Sequence, residues 1–225
     1  IMPSLVGSEM CIRDRFYIGI SGYYHESSVF LTDGININCF LKEEYFTRIK
    51  GDKSFPKRSL KFLIKKYSLN EKNIKSVCFY EKPFKSWWEI FIYSIKKPLE
   101  NKKLLTHHLK NFNTGSIFFY THLNKIIKIS KDKILYSSHH LSHCLYGSLY
   151  VKDADDYAFV SCDGVGEGET MTIYTINSEN LIKKHWTNFY PNSIGLFYST
   201  ITDFLGFDIN EGEFKVCLLY TSDAA

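Results

Sequence analysis

The chain has 225 residues, of which 44% are hydrophobic and 23% are charged, and its formal net charge is +4. These are ordinary values for a globular protein, and the length allows one large domain or two small ones. The lysines are scattered and no apolar run approaches the roughly 18 residues of a membrane span, so we expect neither nucleic-acid binding nor a membrane-spanning segment.

Six cysteines occur without any Cys-x-x-Cys pair. Cys39, Cys78 and Cys162 each lie in an apolar, strand-like run, which favours buried free thiols. A reducing compartment, the cytoplasm, is therefore the expected location.

The two ends of the chain differ in pattern from its interior. Residues 1–15 show no clear hydrophobic period and stop where a clean strand pattern begins, and residues 217–225 break away from a motif-like stretch. Both tails resemble translated sequencing-adaptor read-through, so they carry no weight in the fold prediction. The native segment is expected to be residues 16–216.

The first half of the chain opens with three strand patterns and then alternates helices and strands. Asp33-Gly34 is a hairpin signal, so the opening strands are expected to form an antiparallel meander. The hydrophobic patterns predict strands at Phe16–Ser21, Ser27–Thr32 and Ile35–Glu43, a helix at Pro56–Tyr67, a strand at Ile74–Tyr80, helices at Phe84–Ile95, Leu104–Phe112 and Ile117–Ile129, and a strand at Lys133–Tyr136.

The second half begins with a histidine-rich helix and continues with three strands. We predict a helix up to Tyr150, strands at Tyr157–Cys162, Thr170–Ile176 and Leu181–Asn188, a helix at Ser193–Leu205 capped by Ser193, and a polar loop at Gly206–Lys215. This order predicts an α/β fold with a mixed sheet. The later strands loosely echo the opening ones, which suggests two related lobes, the second only begun.

A metal site is the first chemical hypothesis. His139 and His143 are four residues apart, so a helix would project both from one face. The apolar run before Asp163 is typical of a buried strand that carries the aspartate at its end. Two imidazoles and a carboxylate are a plausible metal-ligand set with positions left open for a substrate. The alternative is a serine-capped, histidine-rich helix start followed by an ordinary Asp-Gly turn.

Two loops of the first half carry further candidates. The turn Ser21–Ser28 contains glycine, serines and His25, a group able to exchange a proton near neutral pH. Arg48 and Lys50 follow a strand end and could hold an anionic substrate. The alternatives are an exposed hairpin histidine and an ordinary solvated loop.

Two loops of the second half could approach a phosphate. Gly164, Gly166 and Gly168 alternate after Asp163, which lets the backbone come close to a ligand. No helix pattern follows, so this is neither a Walker nor a Rossmann loop, but it fits the phosphate-binding hairpins of actin-like ATPases. Lys215 could also reach a phosphate. A flexible hairpin and a solvated loop are the alternatives.

Together these stretches resemble one family, the nodulation-type and antibiotic-pathway O-carbamoyltransferases. The similar motifs occur in the family's order and cover nearly all of residues 16–216. They are Gly19-Ile20-Ser21-x-Tyr23-Tyr24-His25-Glu26-Ser27, Glu43-Glu44-x-Phe46-Thr47-Arg48-x-Lys50, Tyr80-Glu81-Lys82-Pro83, Ser138-His139-His140-Leu141-Ser142-His143, Asp163-Gly164-Val165-Gly166-Glu167, Ser193-Ile194-Gly195-Leu196-Phe197-Tyr198-Ser199 and Gly212-Glu213-Phe214-Lys215. The family usually has Asp where Glu26 stands and Arg where Tyr45 stands.

The resemblance implies a lobe of the ribonuclease H-like, actin/sugar-kinase superfamily that binds ATP with Mg. It implies that a YrdC-like domain, absent from this chain, makes carbamoyl-adenylate from ATP and carbamoyl phosphate. The carbamoyl group then passes to a hydroxyl of an acceptor such as a sugar, an antibiotic or a lipo-oligosaccharide. This chain is expected to be a fragment that is inactive alone.

The resemblance also implies roles for individual residues. His139, His143 and Asp163 correspond to ligands of an iron-type divalent metal, with a further Asp expected beyond this chain. His25 corresponds to the catalytic histidine and Lys50 to a residue that contacts the adenylate. Gly164, Gly166 and Lys215 are further candidates for nucleotide binding.

Two other functions remain open from the sequence. One is a tRNA threonylcarbamoyladenosine transferase-like protein, although that group usually has Glu-Gly before the second histidine. The other is a noncatalytic nucleotide-binding module that keeps the fold.

Overall fold

A computed structural model describes residues 16–24, 26–96, 115–151, 156–179, 181–210 and 212–222, together with residues 102, 105, 106 and 109. The chain divides into two compact units, the first ending at Ser137 and the second beginning at Ser138. No helix within the described ranges is long and apolar enough to cross a membrane.

The described part of the first unit is built on a five-stranded mixed sheet. Its elements are β1 Phe16–Ser21, β2 Ser28–Thr32, β3 Ile37–Lys42, α1 Glu44–Thr47, α2 Lys57–Tyr67, β4 Ile74–Phe79, α3 Pro83–Lys96, α4 Phe119–Asn124 and β5 Ile134–Tyr136, with short 3-10 turns at Ser116–Phe118 and Lys131–Lys133. The strand order is β3-β2-β1-β4-β5. The β1–β2 and β2–β3 pairs are antiparallel, and the β1–β4 and β4–β5 pairs are parallel. This mixed α/β sheet confirms the predicted fold class.

Apolar side chains at strand and helix periods build the core of the first unit. Ile18 and Ile20 alternate along β1, and Leu60 and Leu63 lie one turn apart on α2, all of them buried. They belong to one cluster of buried residues: Ile18, Ile20, Val29, Leu31, Leu60, Leu63, Leu69, Ile74, Val77, Phe79, Phe119, Leu123, Ile127, Ile129 and Ile134. This cluster fixes the sheet and, with it, the loops at the strand ends.

The parallel strands bring their carboxyl ends to one edge of the sheet. Ile20 is paired with Phe79, and Phe79 is paired with Tyr136, so the three strands end side by side. The Tyr80 hydroxyl donates to the Gly22 carbonyl at 3.2 Å, which ties the loop after β4 to the loop after β1. In open α/β sheets this edge is the usual place for a ligand.

A buried carboxylate anchors α2. Glu43, which follows β3 and is 2% exposed, accepts hydrogen bonds from the backbone amides of Arg58 and Ser59, both at 2.8 Å, and from the Ser59 hydroxyl at 2.6 Å. The first amides of a helix have no partner within the helix, and the helix dipole favours a negative charge there. The sheet is thereby joined to α2.

The second unit consists of an antiparallel three-stranded meander with helices. Its described elements are α5 His139–Ser148, β6 Tyr157–Gly166, β7 Glu169–Ile176, β8 Ile182–Phe189, α6 Ile194–Phe204 and α7 Glu213–Ser222. The strand order is β6-β7-β8. Cys144, Tyr174 and Ile176 form a small buried apolar cluster. The Ser193 hydroxyl accepts from the Leu196 amide, which confirms the predicted cap of α6.

Most predicted elements are found within a few residues of their predicted bounds, with two exceptions. The predicted helix Ile117–Ile129 is shorter, because the Asn124 side chain accepts from the Ile129 amide at 3.3 Å and closes a turn after α4. The predicted polar loop Gly206–Lys215 is cut short by α7. The Glu213 carboxylate accepts from the Asn210 amide at 2.9 Å, at the start of that helix. The predicted helix Leu104–Phe112 lies largely outside the described residues.

Replacing Glu43 with alanine is expected to lower the free energy of unfolding by about 2–4 kcal/mol, because three hydrogen-bond donors lose their acceptor. Urea denaturation followed by circular dichroism measures the change. Glu26→Ala is the control, since Glu26 pairs with Lys42 at the surface. That substitution should change stability by less than about 0.5 kcal/mol. Equal losses in the two variants would contradict the capping role.

Candidate metal centre

The helix α5 presents two histidines from its first two turns. It begins at His139, directly after the extended Ser138, and the predicted helical spacing of His139 and His143 is confirmed. The His139 side chain is 10% exposed and that of His143 is 53% exposed. One imidazole is therefore fixed inside the unit and the other faces outward.

The strand β6 supplies a carboxylate to the same place. The regular pairing of β6 with β7 is interrupted between Cys162 and Gly166, and Asp163 lies in this irregular stretch. Its Oδ1 accepts from the Gly164 amide at 2.6 Å, and its Oδ2 faces the histidines. The bulge turns the carboxylate out of the ladder towards α5.

The three side chains converge on one point. His139 Nε2 lies 2.6 Å from Asp163 Oδ2, His143 Nε2 lies 3.5 Å from the same oxygen, and the two Nε2 atoms are 3.1 Å apart. In the part of the chain that the structure describes, this is the group of His, Cys, Asp and Glu side chains whose ligand atoms come close enough to share a metal ion. The sequence pattern thus predicted which residues meet.

The three side chains offer ligand atoms close enough together that they could hold a metal ion. Ligand atoms about 2.1 Å from a shared ion lie roughly 3.0–3.4 Å from one another in octahedral or tetrahedral geometry. The observed separations of 2.6–3.5 Å bracket that range. Two imidazoles and one carboxylate also leave positions open for other ligands.

The electrostatic environment keeps Asp163 ionised. Hydrogen bonds from His139 and then from His143 hold the pKa of the Asp163 carboxyl well below its usual range, although burial opposes them. An ionised carboxylate is the form that binds a metal.

A glycine lets His139 approach the strand. A Cβ at Gly166 would lie 2.5 Å from Cγ of His139 and 2.8 Å from its Cβ, closer than real side chains come. At Gly164 the same atom would meet Leu196 at 3.6 Å, an ordinary contact. The lack of a side chain at position 166 is therefore a steric requirement of the histidine cluster.

The start of α6 holds the peptide after Asp163. The Ser193 hydroxyl lies within hydrogen-bond distance of the carbonyls of Asp163 and Gly164, at 2.9 and 2.6 Å. A Cβ at Gly195 would lie 2.6 Å from the Asp163 carbonyl carbon. The helix end thus packs directly on the backbone that carries the carboxylate and limits its movement.

Comparison with known proteins identifies the family. Residues 17–222 match the family model described as the carbamoyltransferase N-terminus. The chain belongs to the carbamoyltransferase family.

Two curated relatives have matching segments. A protein of Synechocystis sp., described as uncharacterised, is 29% identical over 207 residues, which is 88% of this chain and 33% of that protein. A protein of Methanocaldococcus jannaschii, also described as uncharacterised, is 30% identical over 195 residues, which is 87% of this chain and 31% of that protein. The chain spans about a third of the length of these relatives.

The other predicted site residues of this carbamoyltransferase-family chain are placed as follows. His25 lies outside the described residues. Lys50 is exposed in the first unit, after α1. Lys215 lies on α7, and its Nζ is 6.0 Å from the ring centroids of Phe207 and Phe214. Gly164 and Gly166 follow Asp163, the metal-ligand candidate in β6.

His140, the third histidine of the motif, is buried away from solvent. It is 1% exposed, and its Nδ1 lies 3.0 Å from the Thr172 hydroxyl on β7. Burial lowers the pKa of His140 to about 4, with a smaller contribution from His139, so the ring is neutral at pH 7. The contact between His140 and β7 helps to hold α5 against the three-stranded sheet.

Sequence reasoning gave no role to His122 in the first unit. The hydroxyl of Tyr23, which precedes His25 by two residues in the chain, lies 2.7 Å from His122 Nδ1. Burial raises the pKa of Tyr23 and lowers that of His122, so the tyrosine donates and the neutral imidazole accepts. The two residues are 99 positions apart, and no local pattern connects them. This bond anchors the loop after β1.

Gly166→Ala is expected to lower the free energy of unfolding by about 1–3 kcal/mol, because the new methyl group overlaps the His139 ring. The His139 imidazole signals in NMR spectra should shift as well. Gly164→Ala is the matched control in the same strand and should leave stability and those signals nearly unchanged. Unchanged His139 signals in the Gly166→Ala protein would refute the steric requirement.

Proposed function

We propose that this chain is the metal-bearing part of an O-carbamoyltransferase. The supporting observation is the convergence of His139, His143 and Asp163 in a chain of the carbamoyltransferase family. Because the chain spans about a third of its curated relatives, the activity proposed is that of the whole protein.

The proposed reaction uses ATP, bound with Mg, carbamoyl phosphate and water to form carbamoyl-adenylate, with release of phosphate and pyrophosphate. In the transfer step the acceptor oxygen forms a bond to the carbamoyl carbon, and the bond from that carbon to the phosphate oxygen of AMP breaks. The hydroxyl proton leaves to a base, and AMP departs with the bonding electrons. The acceptor is a hydroxyl of a small molecule or sugar.

His139, His143 and Asp163 would hold the divalent metal, for which iron is the expected ion. Once bound, a metal of this kind supplies Lewis-acid stabilisation of developing negative charge. The low pKa of Asp163 supports this role, because the carboxylate is available as a ligand across the physiological pH range.

Residues of the loops would accept the hydroxyl proton and bind the phosphate. His25 would accept the hydroxyl proton as general base, and Tyr23, its neighbour but one, is held by His122. Lys50 carries an exposed positive charge suited to a phosphate oxygen. Gly164, Gly166 and Lys215 are the further candidates for contact with the nucleotide.

The metal assignment predicts that the intact protein purified from cells contains about one iron or other divalent metal ion per chain. His139→Ala should reduce the content to less than about a tenth of that value, because one of the ligands is lost. Elemental analysis by mass spectrometry measures it. His185→Ala is the control, since that exposed histidine bonds to Thr175 on the meander. Equal metal content in both variants would contradict the site.

The role of His25 predicts a loss of turnover. His25→Asn in the full-length protein should lower kcat by about 10²–10⁴-fold, because the transition state loses its proton acceptor. The measurement is ATP- and carbamoyl-phosphate-dependent product formation, detected by mass spectrometry. Undiminished activity would rule out His25 as the general base, and absence of product from the wild-type protein would favour a noncatalytic nucleotide-binding module.

The role of Lys50 predicts weaker substrate binding. Lys50→Ala should raise the KM for ATP or carbamoyl phosphate about tenfold with a smaller effect on kcat, because a charge-assisted hydrogen bond is lost. Lys53→Ala removes another exposed lysine of the same segment and is the matched control. Identical KM values in the two variants would exclude Lys50 from the site.

A further inference from the structure

We propose that Glu167 is a positioning residue for the candidate metal centre, holding the start of the two-histidine helix against the strand that carries Asp163. This inference deepens the proposed function and rests on it, because it concerns the same metal ligands. It assigns a task to a carboxylate that is neither a ligand in the cluster nor exposed to substrate.

The backbone at Glu167 indicates that its side chain has a specific task. Glu167 and Gly168 form the two-residue turn between β6 and β7, with φ of 56° and 83°. Such turns favour asparagine, aspartate or glycine. A left-handed conformation costs most other residues about 1–2 kcal/mol. Glutamate at this position is therefore unfavourable locally, and an interaction elsewhere offsets the cost.

That interaction is made with the first residue of α5. Glu167 is 4% exposed, and its Oε1 accepts from the backbone amide of His139 at 3.0 Å. Ser138 occupies the N-cap position of α5 but makes no capping hydrogen bond with its side chain. The carboxylate thus takes the place of a cap, and its charge is favourable at the positive end of the helix.

The last residue of β6 and the first residue of the turn constrain His139 from two sides. Gly166 lies against the imidazole ring, and Glu167 binds the backbone amide of the same histidine. Asp163 belongs to the same strand as Gly166. One hairpin therefore sets both the position of the carboxylate ligand and that of the histidine. The 2.6 Å separation of His139 Nε2 and Asp163 Oδ2 depends on this arrangement.

Loss of the Glu167 contact should loosen the ligand set without removing a ligand. Supporting residues around metal sites commonly change affinity by about 10–100-fold when they are replaced. A weaker affinity and an altered coordination geometry are both expected, because α5 can then shift relative to β6.

Titration of the metal-free intact protein with Co²⁺ tests the proposal. The visible absorption of bound Co²⁺ reports both affinity and coordination geometry. Glu167→Ala should raise the Kd about 10–100-fold and change the spectrum. Glu167→Gln should bind within about threefold of wild type, since an amide oxygen can accept from the same backbone amide.

Glu167→Asp tests the same contact with His139 if the Glu167→Ala protein folds poorly. Aspartate suits the left-handed turn better and keeps the charge, but its shorter side chain withdraws the oxygen from His139. It should therefore bind Co²⁺ nearly as weakly as the alanine variant. Wild-type affinity and spectrum in the Glu167→Asp protein would overturn the proposal.

Glu43→Ala is the matched control. Glu43 is also a buried carboxylate that caps a helix, but α2 carries no residue of the metal cluster. It should lower stability and leave the Kd for Co²⁺ unchanged. An equal rise in Kd for Glu43→Ala and Glu167→Ala would overturn the positioning role in favour of general destabilisation. If wild type binds no Co²⁺, the proposed metal centre itself fails.

Discussion

The close approach of His139 to the backbone of Gly166 sets the geometry of the second unit. A single methyl group at position 166 would lie 2.5 Å from Cγ of His139, so the imidazole ring lies directly against the strand backbone. The apolar cluster of this unit is small, with Cys144, Tyr174 and Ile176 at its centre. Steric and polar contacts in the first turn of α5 therefore position this helix against β6. In larger cores, apolar packing positions a helix in this way.

In the first unit, other contacts hold a helix against the sheet. A large apolar cluster joins its sheet and helices, and the buried Glu43 ties the end of β3 to the start of α2. Both units thus place a carboxylate from a strand end at the first amides of a helix. The difference lies in what the helix carries. In the first unit the cap secures the scaffold, and in the second unit the capped residue is itself a candidate ligand.

Local patterns in the sequence were sufficient for most of the fold and for the convergence of the three candidate ligands. The spacing of His139 and His143 predicts one helix face, and the apolar run before Asp163 predicts the strand that brings the carboxylate close. Tertiary partners could not be predicted in this way. The bond between Tyr23 and His122 joins residues 99 positions apart. In the sequence, Glu167 was named only within a motif that resembles the carbamoyltransferase family. Its contact with the His139 amide could not be predicted, because it depends on how the hairpin meets α5.

Asp163 and Glu167, two carboxylates of the β6–β7 hairpin, have different surroundings and therefore different roles. Asp163 lies at a bulge, remains 29% exposed, and faces two imidazoles that draw its pKa down. A metal ligand needs this access, because ions and substrates must reach it. Glu167 lies at the turn, is buried, and binds a backbone amide that does not titrate. Since the hairpin backbone links the two, we expect movement of the turn to alter the distance between Asp163 and His139. The proposed chemistry of this carbamoyltransferase-family chain therefore depends on a residue that touches neither metal nor substrate.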